Sequence, residues 1–334
     1  MAVLVTGGAG YIGSHMVLGL LDAGDGVLVA DNLSTGFPWA VADAARLEVG
    51  DVGDAAFVGS LLRRNVIDTI IHFAGSVVVP ESIENPLTYY RNNTCNSRTL
   101  VECAIQAGVR HFIFSSTAAV YGMPKSIPVS EDAPLEPISP YGSSKLMTEM
   151  MLRDSARAHG LRYAALRYFN VAGADPQGRA GQSASRATHL IKVALQAALG
   201  QRPHLEVFGT DYPTPDGTCV RDYIHVSDLI GAHLAALNYL RRGGESLVLN
   251  CGYGRGFSVL QVIDLVKRIS GVEFEVRFGK RRCGDPAVLV AEAQRIAKML
   301  NWNTHYNDLE TIITHAHWWE RRLTTAQGQL PILT

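Results

Sequence analysis

The chain has 334 residues, with 30 lysines and arginines against 31 aspartates and glutamates and a formal charge of −1. That length suits about two domains, and a hydrophobic content of 47% suffices for a sizeable core. The near-neutral balance excludes a general nucleic-acid surface, so any bound anion must be gripped by a few placed residues.

The first half alternates between short apolar runs and helical patterns. Ala2–Thr6 reads as a strand, Gly7–Gly13 as a turn and Tyr11–Ala23 as a helix. Strands follow at Val27–Asp31, more weakly at Arg46–Gly50, and at Thr69–Phe73 and His111–Ser115. Helices are expected at Ala55–Arg64 and Asn92–Gly108. Such βα alternation predicts a parallel sheet covered by helices. Pro124–Pro140 is a Pro- and Ser-rich extended loop. A helix then runs from Pro140 to His159, with proline at its start and Gly160 at its end. Leu161–Tyr168 is a further strand.

After Asn170 the texture changes. Residues 173–187 are small and polar and read as a loop. Helices are expected at Thr188–Leu199, Val226–Leu240, Val259–Ile269, Ala291–Leu300 and Tyr306–Arg322. Strands are expected at Glu206–Gly209, Ser246–Asn250 and Glu275–Phe278, with a Pro/Gly-rich loop over Asp211–Val220. This divides the chain into a nucleotide-binding part, 1–170, and a mainly substrate-binding part, 171–334, with 224–251 returning to complete the first. Cys95, Cys103, Cys219, Cys251 and Cys283 are an odd, scattered set without a CxxC unit, which argues against a disulfide scaffold and against a metal site. The chain opens directly on a strand without a charged leader. It has no apolar run of about 18 residues, so the expected setting is the cytosol, with neither membrane nor nucleic acid as partner.

The turn after the first strand reads Gly7-Gly8-Ala9-Gly10-Tyr11-Ile12-Gly13, a GxxGxxG spacing. Gly7 permits the sharp turn, Gly10 lets a pyrophosphate approach the backbone, and Gly13 lets the helix pack closely on the sheet. The helix N-terminus then offers free N–H groups to the anion. Three glycines alone are weak evidence. Asp31, closing the second strand, strengthens it: a carboxylate there takes both ribose hydroxyls and repels a 2′-phosphate, favouring NAD over NADP. Asn32 assists, and Asp51 is a weaker candidate for the adenine amino group. The expected fold is therefore α/β: a Rossmann-type parallel sheet flanked by helices, with a smaller mixed α/β substrate-binding domain.

Tyr141 and Lys145 lie four apart at the start of a helix, on one face. A free phenol has a pKa near 10 and is a poor base at neutral pH. A neighbouring ammonium, the helix N-terminus and a positive nicotinamide ring would each favour phenolate. Tyr141 is thus the candidate acid/base and Lys145 its tuner. Taken alone, YxxxK is more often an exposed aromatic beside a surface lysine; behind a dinucleotide turn the catalytic reading prevails. Ser115-Ser116-Thr117 ends a strand facing the crevice, and Thr117, furthest out, is the candidate hydroxyl partner, although all three could simply cap local backbone.

The segments TGGAGYIGSH, Asp31-Asn32, HFAG, YYRNN, FIFSSTAAVYG, SPYGSSK, LRYFNVAGA, DYPTPDGTCVRDYIHVSDL and RRCGDP together resemble the UDP-glucose 4-epimerase family of extended short-chain dehydrogenase/reductases, over nearly the full chain. The resemblance implies a tightly bound NAD, kept in its oxidised resting form. It also implies a UDP-hexose substrate and inversion at hexose C4 through a 4-keto sugar. Tyr141 is then base and later acid, Thr117 the hydroxyl partner, and Lys145 tuner and ribose holder. Cofactor positions are Gly7, Gly10, Tyr11, Ile12, Gly13, Asp31, Asn32, Asp51, Val52, Phe73, Ala74, Gly75, Asn93, Ser115, Tyr141, Lys145 and Tyr168. Substrate positions are Thr117, Tyr141, Asn170, His189, Leu190, Arg221, Arg282, Asp285 and Leu289. Two arginines also suit a diphosphate through forked hydrogen bonds. The family further implies a homodimer joined by the Asn92–Gly108 and Tyr141–His159 helices.

Some positions depart from the best-known bacterial form. Val77 stands where that form has a lysine near the cofactor pyrophosphate. Thr117 replaces serine, and His189 replaces an asparagine. Leu289 stands near the position where members of the family carry either tyrosine or a small residue and which limits room at the sugar's C2 substituent; leucine is smaller than tyrosine, which opens the alternative of N-acetylated substrates. A 4,6-dehydratase would need an acid and a base directly after the threonine, where this chain has Ala118-Ala119. A net oxidoreductase releasing NADH and a non-catalytic NAD-binding regulator are the remaining rivals.

Overall fold

The structure, a computed structural model, describes residues 2–184, 188–282 and 284–327. Its strands in chain order are β1 (Ala2–Thr6), β2 (Gly26–Asp31), β3 (Arg46–Val49), β4 (Ile67–His72), β5 (His111–Thr117), β6 (Arg162–Tyr168), β7 (Asn170–Ala172), β8 (Leu205–Phe208), β9 (Val220–His225), β10 (Leu247–Cys251), β11 (Gly256–Ser258), β12 (Val276–Gly279) and β13 (Val288–Leu289). Seven of them form one parallel sheet in the order β10-β6-β5-β4-β1-β2-β3.

Alternation along the strands feeds two separate cores. Val3, Val5, Val29, Ile71, Ile113 and Leu249 face helices Tyr11–Asp22 and Val226–Arg241. Leu4, Leu28, Ile70, Phe112, Phe114 and Ala165 face helices Ala55–Arg64, Asn96–Gln106 and Pro140–His159. The strand order reverses between β1 and β4, which opens a crevice at the carboxyl ends of these strands.

A second group of elements surrounds β9. β7 and β13 pair with it in parallel and β11 antiparallel. β8 and β12 form a separate parallel pair. Their core collects Ile191, Leu195, Val207, Val262, Ile263 and Ile312.

The strong periodic elements lie where the sequence places them, within a few residues. The expected helix at Asn92–Gly108 differs more. Helical turns begin at Pro86, and Tyr90–Cys95 is wound as a π-helix before the regular Asn96–Gln106 segment. The wider turn falls on Asn93, and such inserts recur at functional sites. β5 continues past Ser115 to Thr117. The Asp211–Val220 loop ends in β9, and β7, β11 and β13 are strands of two or three residues that had no sequence signal of their own. Part of the polar loop 173–187, residues 185–187, lies outside the described residues, as does Cys283. No helix among the described residues is long and apolar enough to cross a membrane.

Candidate active site

The glycine turn is tight because backbone meets backbone. Gly7 has φ +73°, and a Cβ there would stand 2.6 Å from the Ala74 nitrogen; at Gly13 it would stand 2.0 Å from the Gly7 carbonyl. Side chains at either position would fill the space between the turn, the helix start and the end of β4. Gly10 caps the Tyr11–Asp22 helix without a side chain, leaving the first N–H groups directed at the crevice. This cradle fits a dinucleotide pyrophosphate.

Asp31 lies buried at the end of β2, and its carboxylate accepts from the Ala9 N–H at 2.9 Å and the Leu33 N–H at 2.8 Å. It therefore joins the turn to the strand end while retaining lone pairs for ribose hydroxyls. Asn32 donates to Asp51 at 3.3 Å, and Asp51 also accepts from Gly53 N–H and from the Asn96 amide. Ile12 packs on one core of the sheet, and Val52 is buried in the other. The Tyr11 hydroxyl donates to the Gly173 carbonyl at 2.7 Å, which ties the cofactor turn to the second half of the chain.

Phe73, Ala74 and Gly75 follow β4. The Asn93 side chain accepts from the Ser76 N–H at 2.7 Å and donates to the Ser144 hydroxyl at 3.1 Å, so the π-turn is fastened to both the β4 loop and the tyrosine helix. A chain not expected from the sequence runs beneath: Thr6 hydroxyl to His72 at 2.7 Å, His72 to Ser97 at 2.8 Å, and Ser97 to the Asn93 carbonyl. Burial, and then the charge of Lys145, push His72 down to about 3, so it serves as a neutral link.

The Pro140–His159 helix starts at Ser139, whose hydroxyl accepts the Gly142 N–H, and ends at Gly160 in the left-handed region. Its first turn presents Tyr141 to Thr117 at the tip of β5. Lys145 is buried, donates from Nζ to the Ser115 carbonyl at 2.8 Å, and stands 4.9 Å over the Phe114 ring. Here the sequence expectation is corrected. Burial raises the Tyr141 pKa, and the Thr117 hydroxyl opposes that rise. Lys145 directs its ammonium to the Ser115 carbonyl, and burial lowers its own pKa to about 8.

Tyr168 ends β6, and its pKa is well above the ordinary value because of burial. Its hydroxyl meets His233 Nε2, while His233 Nδ1 lies 2.8 Å from the Leu229 carbonyl. A carbonyl only accepts, so Nδ1 carries the proton and Nε2 accepts from Tyr168. His233 belongs to the site yet stood unremarked in sequence; the only hint was a histidine inside an apolar helix.

Strand register carries the site outward. Thr117 pairs with Tyr168; two residues on, Asn170 pairs with Tyr223; and Arg221, on the same face of β9 as Tyr223, pairs with Leu289. Arg221 contacts Asp285 at 3.8 Å and Arg282 contacts the same carboxylate at 2.9 Å, so one aspartate spaces two guanidinium groups. Arg282 also stacks over Phe208 at 4.7 Å. Next to Arg221, the buried Asp222 accepts N–H groups of Tyr253, Gly254 and Ala291 and pins β13 to β9, a role the sequence did not reveal. His189 and Leu190 line a small cleft with Asn170 and Tyr223, and His189 bonds to the Gln182 amide at 2.8 Å. Leu289 is buried with Ala118, Val120, Tyr121, Val129 and Phe169, beside the end of β5. Among the described residues no group of acids, histidines or cysteines is arranged to hold a metal ion.

A glycine cradle under a parallel sheet, an acidic residue closing β2, and a Tyr-x-x-x-Lys helix at the same edge define a dinucleotide-dependent enzyme of the short-chain dehydrogenase type. The family model for NAD-dependent epimerases and dehydratases matches residues 3–252, and the chain belongs to that family. It is 57% identical to UDP-glucose 4-epimerase of Azospirillum brasilense, over 98% of this chain and 94% of that protein. The structure of UDP-glucose 4-epimerase from Brucella ovis in complex with NAD superposes with a TM-score of 0.92 at 44% identity, covering 95% of this chain and 97% of the other. The UDP-Glc/GlcNAc 4-epimerase of Campylobacter jejuni superposes with a TM-score of 0.84 at 49% identity, over 96% and 99%.

Proposed function

We propose that this chain interconverts UDP-glucose and UDP-galactose by inverting hexose C4, with NAD retained through the cycle. The observation that carries the reading is the register chain from Thr117 through Tyr168 and Asn170 to Arg221. It supports an acid/base pair on the large sheet followed by a diphosphate grip on the smaller one. NAD, when bound, would supply hydride chemistry at C4, and its oxidised ring would add positive charge near Tyr141.

Tyr141 removes the proton of the C4 hydroxyl and later restores it, and Thr117 hydrogen-bonds the same oxygen. Lys145 holds the nicotinamide ribose from its buried seat beside Ser115. Gly7, Gly10, Gly13, Asp31, Asn32, Asp51, Asn93 and the residues around them hold the dinucleotide. Arg221 and Arg282 grip the diphosphate in place of their shared Asp285 contact, so that the sugar can turn about its link and present its other face. Residues 1–170, completed by about 224–251, form the cofactor part, and 171–334 mainly the substrate part. The half-exposed Met147 and Met150 beside Thr94 and Val101 form an open groove that supports a homodimer across this face.

A second reading adds UDP-N-acetylhexosamines. Leu289 supports it, because leucine rather than a tyrosine ring closes the sugar end beside Ala118. The test supplies UDP-galactose, and separately UDP-N-acetylgalactosamine, to protein with confirmed bound NAD and none added. C4 inversion without accumulation of NADH is the expected result. Absence of inversion on both substrates overturns the epimerase reading.

A further inference from the structure

Beneath the acid/base pair lies a polar network that the proposed chemistry does not use. Glu149 and Arg167 are 5% and 3% exposed and meet through two hydrogen bonds, Nε to Oε1 at 3.0 Å and Nη2 to Oε2 at 2.7 Å. The Ser116 hydroxyl donates to the same Glu149 Oε1. Arg167 Nη1 donates to the Tyr121 hydroxyl at 2.9 Å and to the Glu131 carbonyl at 3.2 Å. Tyr121 donates onward to Asn250 at 2.6 Å.

Each member adjoins a site residue. Ser116 precedes Thr117 on β5, and Arg167 precedes Tyr168 on β6. Glu149 follows Tyr141 and Lys145 along one stripe of their helix. Tyr121 ends the turn that Thr117 opens. The fork therefore joins the three elements that carry Thr117, Tyr141 with Lys145, and Tyr168. A buried ion pair contributes less to stability than well-packed apolar residues of the same volume. Its planar two-bond geometry does something apolar packing does not: it fixes the helix in both height and rotation against the strand ends.

We infer that Glu149 and Arg167 are positioning residues, which set the Tyr141 and Thr117 hydroxyls at the spacing proton transfer requires. Proton transfer is sensitive to misplacement of about 1 Å, and the network lies within one residue of Thr117 and Tyr168. The inference rests on the acid/base role proposed for Tyr141, and Tyr141→Phe assayed in parallel separates the two: near-normal turnover of Tyr141→Phe fails that role, whereas a disabled Tyr141→Phe beside fully active Glu149 and Arg167 variants fails this inference.

The experiment compares Glu149→Gln, Arg167→Lys and the double variant Glu149→Leu/Arg167→Met, each as full-length NAD-containing protein at a temperature well below its Tm. The expected result is a kcat lowered about 10- to 100-fold, with KM for UDP-galactose changed less than about twofold and bound NAD retained. The double variant regains Tm without regaining kcat. A kcat that returns with Tm in the double variant, or that is unchanged in folded single variants, assigns the pair a purely structural role and overturns the inference. If one single variant does not fold, the other and the apolar double variant decide between these outcomes.

Discussion

The two ends of the site are built in opposite ways. Around Tyr141, Lys145, Thr117, Asn93 and Tyr168 are buried and bonded to neighbours on regular strands and helices. Around the diphosphate residues, Arg282 is 41% exposed, and its partner Asp285 follows the glycine of a loop between β12 and β13. The first end is fixed by these contacts; under the proposed function the second exchanges a protein carboxylate for a ligand anion. Substitutions at the first should therefore appear in kcat and at the second in KM.

The largest effect is expected at Tyr141. Tyr141→Phe should lower kcat by about 10²- to 10⁴-fold while NAD content and UDP binding are kept, measured by turnover and equilibrium binding. Near-normal turnover would break the contrast at its fixed end. Next comes Arg221→Ala, which removes a charge-assisted contact and should raise KM about 10- to 100-fold with kcat largely retained, in steady-state kinetics. An equal fall in kcat would show that the diphosphate grip also shapes the chemical step.

Lys145 sharpens the comparison through pH. Its folded pKa of about 8 lies below its ordinary value of 10.5, so above pH 8 the unfolded chain holds the extra proton. Stability of NAD-free protein should consequently rise with pH through that window, the lysine adding a slope of up to about 1.4 kcal/mol per pH unit. Below pH 8 the buried ammonium is retained and its destabilisation is complete. Comparing Tm of wild type and Lys145→Met from pH 7.5 to 9.5 isolates this share; equal slopes would show that Lys145 is not desolvated. The smallest effect is expected for Leu289→Tyr, which should lower the ratio of N-acetylated to plain hexose turnover by about tenfold or less through crowding. An unchanged ratio would detach Leu289 from sugar choice.

The two ends also differed in how much their sequence disclosed. β1, β2, β4 and β6 are buried on both faces and read as apolar runs, and the glycine turn and Tyr141-x-x-x-Lys145 are compact patterns with local causes. β7, β11 and β13 are too short for a period to register, and they exist because β9 offers them edges. Asp285 between two arginines, Asp222 under three N–H groups, and His233 beneath Tyr168 are partnerships between distant segments, invisible to spacing. The direction of the Tyr141 shift was missed for a related reason: sequence places Lys145 near the phenol but does not reveal how far the fold buries the hydroxyl.

The late return of β10 to the large sheet has a consequence for biosynthesis. β6 is made long before Leu247–Cys251, its partner on that side among the described residues. While residues 169–246 are translated, the nascent sheet carries an unsheathed apolar edge at Ala164–Leu166, and the helix Val226–Arg241 that covers one face is also still to come. An exposed edge of this kind is a template for pairing with other chains. The ribosome-bound intermediate is accordingly open to such pairing until Leu247–Cys251 has emerged and joined β6.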